Sequence, residues 1–332
     1  MGSYGLANKL KFYVSYPLYS YANGLLKQSS DTLSNEQINS MLTLNPSKQH
    51  SIDVEAGNGF VLEDSLERES DFFMVLGHNF ETHGQSLTLA DENGELSGTT
   101  IINNCIGESP EYNGWSLSTI ASGSDGGEKT ITFNQEQPNK IGSILYGKSW
   151  AAPINVNLGQ SYSVNYSSKQ QKTVSGKTLS TLNYDKVSNW GNLPAWELMS
   201  DSENPFPESF GNTDYRGNQR TGIRSWSVNF SMLNDSDILN QNQMVTSNGW
   251  TQDTASNYST GADGSSLYNN QNSGDFMTSV YKMTMGSHLP VVVNISDSKN
   301  ADQWAIVRIT KFSMKESNPK LIDISMTLEE QV

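Results

Sequence analysis

The sequence contains a single cysteine, Cys105, among its 332 residues. One thiol cannot form a disulfide within the chain, so we expect packing and hydrogen bonds to hold the fold, and we expect it to mature in a reducing compartment. A reactive cysteine needs a nearby basic group that stabilises its thiolate. The surrounding segment "IINNCIGES" contains no basic residue, which favours a buried, inert thiol.

Charged residues are also scarce, at 17% of the chain, and basic ones are in the minority. The chain has 21 Lys and Arg against 35 Asp and Glu, which gives a formal net charge of −14. Such an acidic chain repels phosphate backbones and anionic lipid, so neither nucleic acid nor a membrane is an expected partner. No apolar run is long enough to span a membrane, and the N-terminal segment lacks the pattern of a signal peptide.

The sequence is instead rich in Asn, Ser, Gly and Thr, which lie between short runs of alternating apolar residues. Alternation with a period of two predicts strands with one buried face, and it is clearest in "TGIRSWSVNFSML" at 221–233. Asn-Gly and Asp-Gly steps predict tight turns between such strands. Ser34, followed three residues later by Gln37, has the spacing of a capping box and predicts a short helix.

These patterns predict a mostly β protein with three segments. Residues 1–47 are interpreted as an N-terminal aromatic arm, and 48–146 as a β-sandwich domain. Residues 147–332 are interpreted as a second β domain of sandwich or barrel type, with one or two short helices and long loops. Within it, 160–184 predict a two-stranded ribbon, and 246–273 are expected to form a long loop because they contain few aliphatic residues.

Two histidines, His78 and His83, follow the apolar run "FFMVLG" and raise the question of a metal or catalytic pair. A zinc site needs further nitrogen or sulfur ligands, and the other two histidines, His50 and His288, are isolated in the sequence. We therefore expect neither a metal nor a catalytic pair at this position. His78 and Asn79 are interpreted as structural residues at a strand end, whose side chains satisfy backbone groups.

Other catalytic or ion-binding sites have little support. The acidic turns at 91–95, 124–128 and 234–237 lack the twelve-residue pattern of an EF-hand loop, and turn formation explains them better. Glycoside hydrolysis needs two carboxylates, and the best candidate, Glu197 in "LPAWELMSD", has no partner acid that can be named. The sequence therefore predicts no catalytic residues, no metal and no cofactor.

Aromatic residues offer two kinds of contact surface. A tyrosine-rich arm and a polar loop lose conformational entropy when they become ordered, and contacts with other subunits would offset that cost. Trp190 and Trp196 are suited to stack on a sugar ring, as is Trp250, but filling a β core or an interface is the preferred interpretation of Trp190 and Trp196. The predicted subunit-contact residues are Tyr13, Tyr16, Tyr19, Tyr21, Trp250, Tyr258 and Tyr268.

Part of the first β segment has a specific strand–turn–strand pattern. The strand at 74–80 ends in Gly-His-Asn-Phe and is followed by Gly84 and by a "Leu-Thr-Leu" strand at 87–89. This arrangement resembles the discoidin-like, or galactose-binding-like, β-sandwich segment of structural proteins of tailed bacteriophages. The sugar-contacting loop residues of that family have no match in this chain, so the resemblance does not imply lectin activity.

The C-terminal part resembles phage tail and tail-tip proteins. It contains a strand with the pattern Gly-x-Arg-x-Trp, formed by Gly222, Arg224 and Trp226. A Pro-aliphatic strand at 290–293 and a final strand at 324–329 follow it. Together with the first segment, the resemblance covers about half of the chain.

The resemblance implies a non-enzymatic virion protein, assembled in the bacterial cytoplasm as a ring-forming component of the tail, baseplate or tail tip. Its partners would be other copies of itself and other virion proteins. If buried aromatic rings hold the assembly, it should survive high salt. The second hypothesis is a carbohydrate-binding virion protein, for receptor binding or head-surface decoration, whose partner is a host-surface glycan. The third is a glycan-degrading enzyme that uses Glu197.

Overall fold

The mostly β fold predicted from the sequence is confirmed. The described part of the chain contains eighteen strands, three short α-helices and one π-helix. The computed structural model describes residues 9–46, 50–64, 70–78, 80, 86–91, 94–95, 114–120, 127–134, 137–154, 161–165, 168–182, 223–238, 275–295, 304–318 and 321–331.

The largest element is a sheet of nine strands in which every neighbouring pair is antiparallel. It contains strands from all three predicted segments, and one strand, at 143–151, crosses the boundary predicted at 146. In spatial order the strands are β12 (Ser161–Asn165), β15 (Ile223–Asn234), β18 (Leu321–Glu330), β17 (Trp304–Asn318), β16 (Val291–Asn294), β1 (Lys11–Ser15), β11 (Ser143–Ala151), β5 (Phe72–His78) and β8 (Gly114–Thr119).

The position of β1 corrects the interpretation of residues 1–47 as an arm. This strand lies in the interior of the large sheet, between β11 and β16, and pairs with both. Its residues Phe12 to Ser15 are buried, so they have no regular alternation of apolar and polar side chains. The surface against which this segment packs therefore belongs to its own chain.

A second, five-stranded sheet packs its apolar face towards the large one, which gives the sandwich-type arrangement. Phe60, Leu62, Ile131 and Phe133 project inward from this sheet and share one hydrophobic cluster with Phe12 of the large sheet. Its strands, in spatial order, are β2 (Leu26–Ser29), β4 (Gly59–Asp64), β9 (Glu128–Phe133), β6 (Leu87–Asp91) and β7 (Gly94–Glu95). Two separate strand pairs are β3 (His50–Val54) with β10 (Gln137–Ile141), and β13 (Ser168–Lys172) with β14 (Thr178–Leu182).

Several inner strands of the large sheet, among them β1, β16 and β5, are buried on both faces. Every residue of β5 is buried, as expected from its continuous apolar run. Successive side chains of a strand point to opposite faces, so Phe73 and Val75 enter the cluster between the two sheets. Phe72 and Met74 enter a second cluster on the other face. The end of β5 therefore lies deep in the molecule.

The helices are short and lie beside the sheets. They are α1 (Tyr16–Ala22), α2 (Asn35–Leu42), α3 (Asp235–Ile238) and a π-helix at Met277–Lys282. The capping box predicted at the start of α2 is present: the Gln37 backbone N–H donates to Ser34 Oγ (3.3 Å), and the Ser34 backbone N–H donates to Gln37 Oε1 (3.0 Å). This reciprocal pair fixes the helix start and directs Ile38 and Met41 into the core.

Candidate functional site

His78 is the last residue of β5 and is completely buried. Its Nε2 lies 2.6 Å from Ser116 Oγ on the neighbouring strand β8. The backbone N–H of Phe80 donates to its Nδ1 at 3.3 Å, and the imidazole ring stacks on the Phe80 ring with a centroid separation of 4.3 Å. The ring therefore has a partner at each nitrogen and on one face.

A buried histidine beside a serine suggests a catalytic pair, but the direction of the hydrogen bonds argues against it. With Nδ1 assigned as the acceptor of the Phe80 hydrogen bond, the neutral ring carries its proton on Nε2, which then donates to Ser116 Oγ. A serine nucleophile requires the opposite direction, with Nε2 accepting the hydroxyl proton. Burial away from water also lowers the pKa of His78 to about 3. The pair links β5 to β8, and a histidine with a pKa this low is a weak general base at neutral pH.

Ser116 as the partner of His78 could not be found by sequence reasoning. The two residues are 38 positions apart, and their contact follows from the pairing of β5 with β8. The one local signal is the alternation in "WSLST", which places Ser116 and Ser118 on the same face of β8. That alternation does not indicate which strand lies beside it.

Arg224, which belongs to the Gly-x-Arg-x-Trp pattern, forms a buried ion pair with Glu330 near the end of the last strand. The Arg224 Nη2 donates to Glu330 Oε1 at 2.7 Å, and Nε donates to both carboxylate oxygens at 3.1 Å. The same Nη2 also donates to the Trp304 backbone carbonyl at 2.9 Å. The side chains are 8% and 1% exposed, respectively. The guanidinium thus fastens β15 to β17 and β18, and its role in this fold is structural.

A second buried charge pair lies at one end of the five-stranded sheet. Lys129 of β9 is opposite Asp91 of β6, and its Nζ lies 4.0 Å from Asp91 Oδ2, with both side chains buried. Asp64, at the end of the neighbouring strand β4, is buried as well. The Lys129 ammonium and the Asp91 carboxylate compensate each other's charge inside the sandwich.

The strand pair β13–β14 forms a hairpin that stands apart from both sheets. No other described strand or helix packs extensively against it. Its turn is closed by hydrogen bonds from the Thr173 backbone N–H to the Lys177 carbonyl and from the Gly176 N–H to the Thr173 carbonyl, both 2.8 Å long. Gly176 has φ +81°, the left-handed conformation that this turn needs and that glycine adopts without strain. Val174, at the tip, is fully exposed. The ribbon predicted over 160–184 is thus confirmed for β13 and β14, whereas β12 joins the large sheet.

The predicted subunit-contact tyrosines lie at different depths. Tyr13 and Tyr16 are buried in the core of their own chain, so their assignment as intersubunit contacts is wrong for this fold. Tyr19 is partly buried against the same core. Tyr21, at 43% exposed, is the one of these four that is accessible to another molecule.

The remaining sequence-based candidates lie outside the described residues. The predicted strand-end residue Asn79 is one of them, as is His83. The others are the subunit-contact candidates Trp250, Tyr258 and Tyr268, the glycan-stacking candidates Trp190 and Trp196, and the two residues Cys105 and Glu197. Their assignments stay predictions.

Within the ranges given above, no group of three or more His, Cys, Asp or Glu side chains is placed to hold a metal ion. Nor does this part of the chain contain a helix that is long and apolar enough to cross a membrane. Comparison of the chain with protein-family models, with curated proteins and with solved structures found no significant match.

Proposed function

We propose that this protein is a non-enzymatic structural subunit of a tailed-phage virion. It assembles in many copies as a ring-forming component of the tail, baseplate or tail tip. The observation that carries the proposal is the β13–β14 hairpin, which projects from a broad sheet frame and presents a fully exposed valine at its tip. Burying a valine side chain in an interface stabilises the complex by about 1.5 kcal/mol or more, and the isolated chain lacks this stabilisation.

The nine-stranded sheet, which we call the frame, has the rigidity that a structural subunit requires. Its nine strands form one hydrogen-bonded sheet, and strands from the beginning and the end of the chain are adjacent in it. The buried pair of Arg224 and Glu330 fastens the last strand to its neighbours. Such a frame transmits force between contact points, because closely packed cores and continuous sheets have low compressibility.

The resemblance to tail proteins supports the same proposal. Arg224 of the shared Gly-x-Arg-x-Trp pattern joins three strands of the large sheet in this chain. In this chain the pattern therefore contributes to the large sheet. The partners that we propose are other copies of the protein and other virion proteins, and the proposed location is the virion.

The test is the mass of the purified full-length chain in solution, measured by light scattering over a range of concentrations. A structural subunit that forms rings is expected to show a multiple of the 36.6 kDa chain mass, with a defined upper limit. A mass that stays at one chain at every concentration and salt level would contradict the proposal. In that case, binding to host-surface glycans, through Trp190 and Trp196, becomes the hypothesis to test.

A further inference from the structure

The β13–β14 hairpin is basic on an acidic protein. Residues 161–182 contain three lysines, Lys169, Lys172 and Lys177, and no Asp or Glu, whereas the whole chain has a formal net charge of −14. Lys172 and Lys177 are exposed beside the turn. A projecting element whose charge opposes that of the rest of the chain is attracted to the surface of another copy.

The hairpin also presents apolar surface next to its charges. Leu179 of β14 is 59% exposed and lies two residues after Lys177, which is part of the turn. Val174 is exposed at the tip. In the turn, Thr173 Oγ1 donates to the Lys177 carbonyl and accepts from the Lys177 backbone N–H, each at 3.1 Å. The shape of the tip is therefore set before any partner arrives, which lowers the entropy cost of docking.

An acidic counterpart lies on the outer face of the five-stranded sheet. Glu63 of β4 and Glu128 of β9 are directly opposite each other in the register of these strands, and both are exposed. Like charges in opposed positions on neighbouring strands destabilise a sheet. Lys27 Nζ lies 3.2 Å from Glu63 Oε1, but both side chains of this pair are largely solvated, and a pair of this kind contributes little. Additional cations from outside the chain would relieve the repulsion.

These two features belong to different parts of the fold. The hairpin follows β12, which is an edge strand of the large sheet. The five-stranded sheet lies beside α1 and α2, which pack against β11. When the hairpin of one copy binds the Glu63–Glu128 pair of the next copy without the reverse contact, the interface is heterologous, and interfaces of this kind repeat around a ring or along a filament.

We propose that the β13–β14 hairpin docks on the Glu63–Glu128 face of a second copy of this chain, with its lysines against the two carboxylates and its apolar tip covered. This inference rests on the proposed function and names the contact through which assembly takes place. It also changes the expected response to salt, since an assembly held by aromatic rings would survive high salt. Tyr13 and Tyr16 are buried within their own chain and are not available to hold subunits together. The proposed contact depends on charge instead, so association weakens as the salt concentration increases.

The experiment compares association constants of full-length variants by light scattering at low and high salt. The double variant Lys172→Glu, Lys177→Glu is expected to lower the association constant by about tenfold or more. The matched control is Lys311→Glu, Lys315→Glu, which makes the same change in net charge at two exposed lysines of β17 and is expected to change the constant by about twofold or less. Thermal unfolding checks that all variants are folded.

A charge exchange makes the test specific for the named face. Adding Glu63→Lys and Glu128→Lys to the hairpin variant recreates opposite charges at the contact and is expected to restore association at least to half of the original constant. If the hairpin variant resembles the β17 control, or if the exchanged chain stays dissociated, the docking proposal is overturned while assembly of the original chain still supports the proposed function. If the original chain never associates, both proposals fail.

Discussion

At the scale of single residues, His78 uses its hydrogen-bonding capacity entirely within the chain. Both ring nitrogens have partners, and the ring is shielded from water by Phe80 and by the core. A positively charged imidazole at this position would lose hydration, and Nδ1 would lose its ability to accept the Phe80 hydrogen bond. The neutral form is therefore part of the folded state.

Stability should consequently depend on pH through His78. The unfolded chain takes up a proton as the pH falls below 6.5, whereas the folded chain does not do so until the pH is about 3. The stabilising contribution is therefore complete above pH 6.5 and is lost as the pH falls from 6.5 towards 3, by up to about 1.4 kcal/mol per pH unit. Urea unfolding between about pH 7.5 and 5.5, above the range in which ordinary carboxylates titrate, measures this slope. The variant His78→Gln is expected to flatten it, and equal slopes in the two proteins would contradict the assignment.

The pair of Arg224 and Glu330 allows a prediction with a neighbouring control. Replacing Glu330 with Gln leaves a buried guanidinium without its counter-charge, which is expected to lower the free energy of unfolding by about 3–5 kcal/mol. Glu329→Gln removes the same charge from the adjacent exposed residue and should change stability by less than about 0.5 kcal/mol. Denaturant midpoints of the two variants provide the comparison, and similar midpoints would show that the ion pair is not structurally important.

At the scale of elements, the segment after α2 packs unusually closely against the large sheet. Ser143 Oγ donates to the Thr43 carbonyl at 2.6 Å. Gly77 and Gly142 face the carbonyl oxygen of Pro46, which would lie 2.3 Å from a Cβ atom at either glycine. The absence of side chains at these two positions allows the backbone to cross the ends of β5 and β11.

The variant Gly77→Ala tests this close approach. Gly77 has φ +65°, so alanine is strained there by about 1–2 kcal/mol, and the clash with Pro46 adds to that cost. Gly24 has a similar φ of +68° but no atom within 4 Å of a built Cβ, so Gly24→Ala isolates the cost of the backbone conformation. Gly77→Ala is expected to lower the denaturant midpoint clearly more than Gly24→Ala. Equal losses would mean that Pro46 moves aside without cost.

Elements whose signal is local could be predicted from the sequence. The alternation at 221–233 gives β15, the apolar run gives β5, and the spacing of Ser34 and Gln37 gives the start of α2. The sequence does not reveal β1, because a strand buried on both faces has no alternation and "KFYVS" is short and aromatic. The pairs His78–Ser116 and Arg224–Glu330 depend on contacts between residues 38 and 106 positions apart, for which a single sequence contains no local signal.

At the scale of the whole molecule, the large sheet joins parts of the chain that are far apart in sequence. β1 pairs with β11 at residues 147–151 and with β16 at residues 292–294, so one of the first described segments is completed by one of the last. Local pairing alone cannot build this sheet, because closing such long loops costs conformational entropy before any contact compensates for it. The fold is therefore expected to form slowly and only once most of the chain is present.

The interior position of β1 affects how the protein folds while the ribosome synthesises it. Between the synthesis of β1 and that of its partner β16 lie about 280 residues, which take roughly 14–56 s at bacterial or eukaryotic elongation rates. Throughout that interval the apolar strand "KFYVS" has an open edge, ready to pair with the same strand of a neighbouring nascent chain. Among the described strands, β1 waits longest for a partner, and it is there that molecular chaperones have the most to protect.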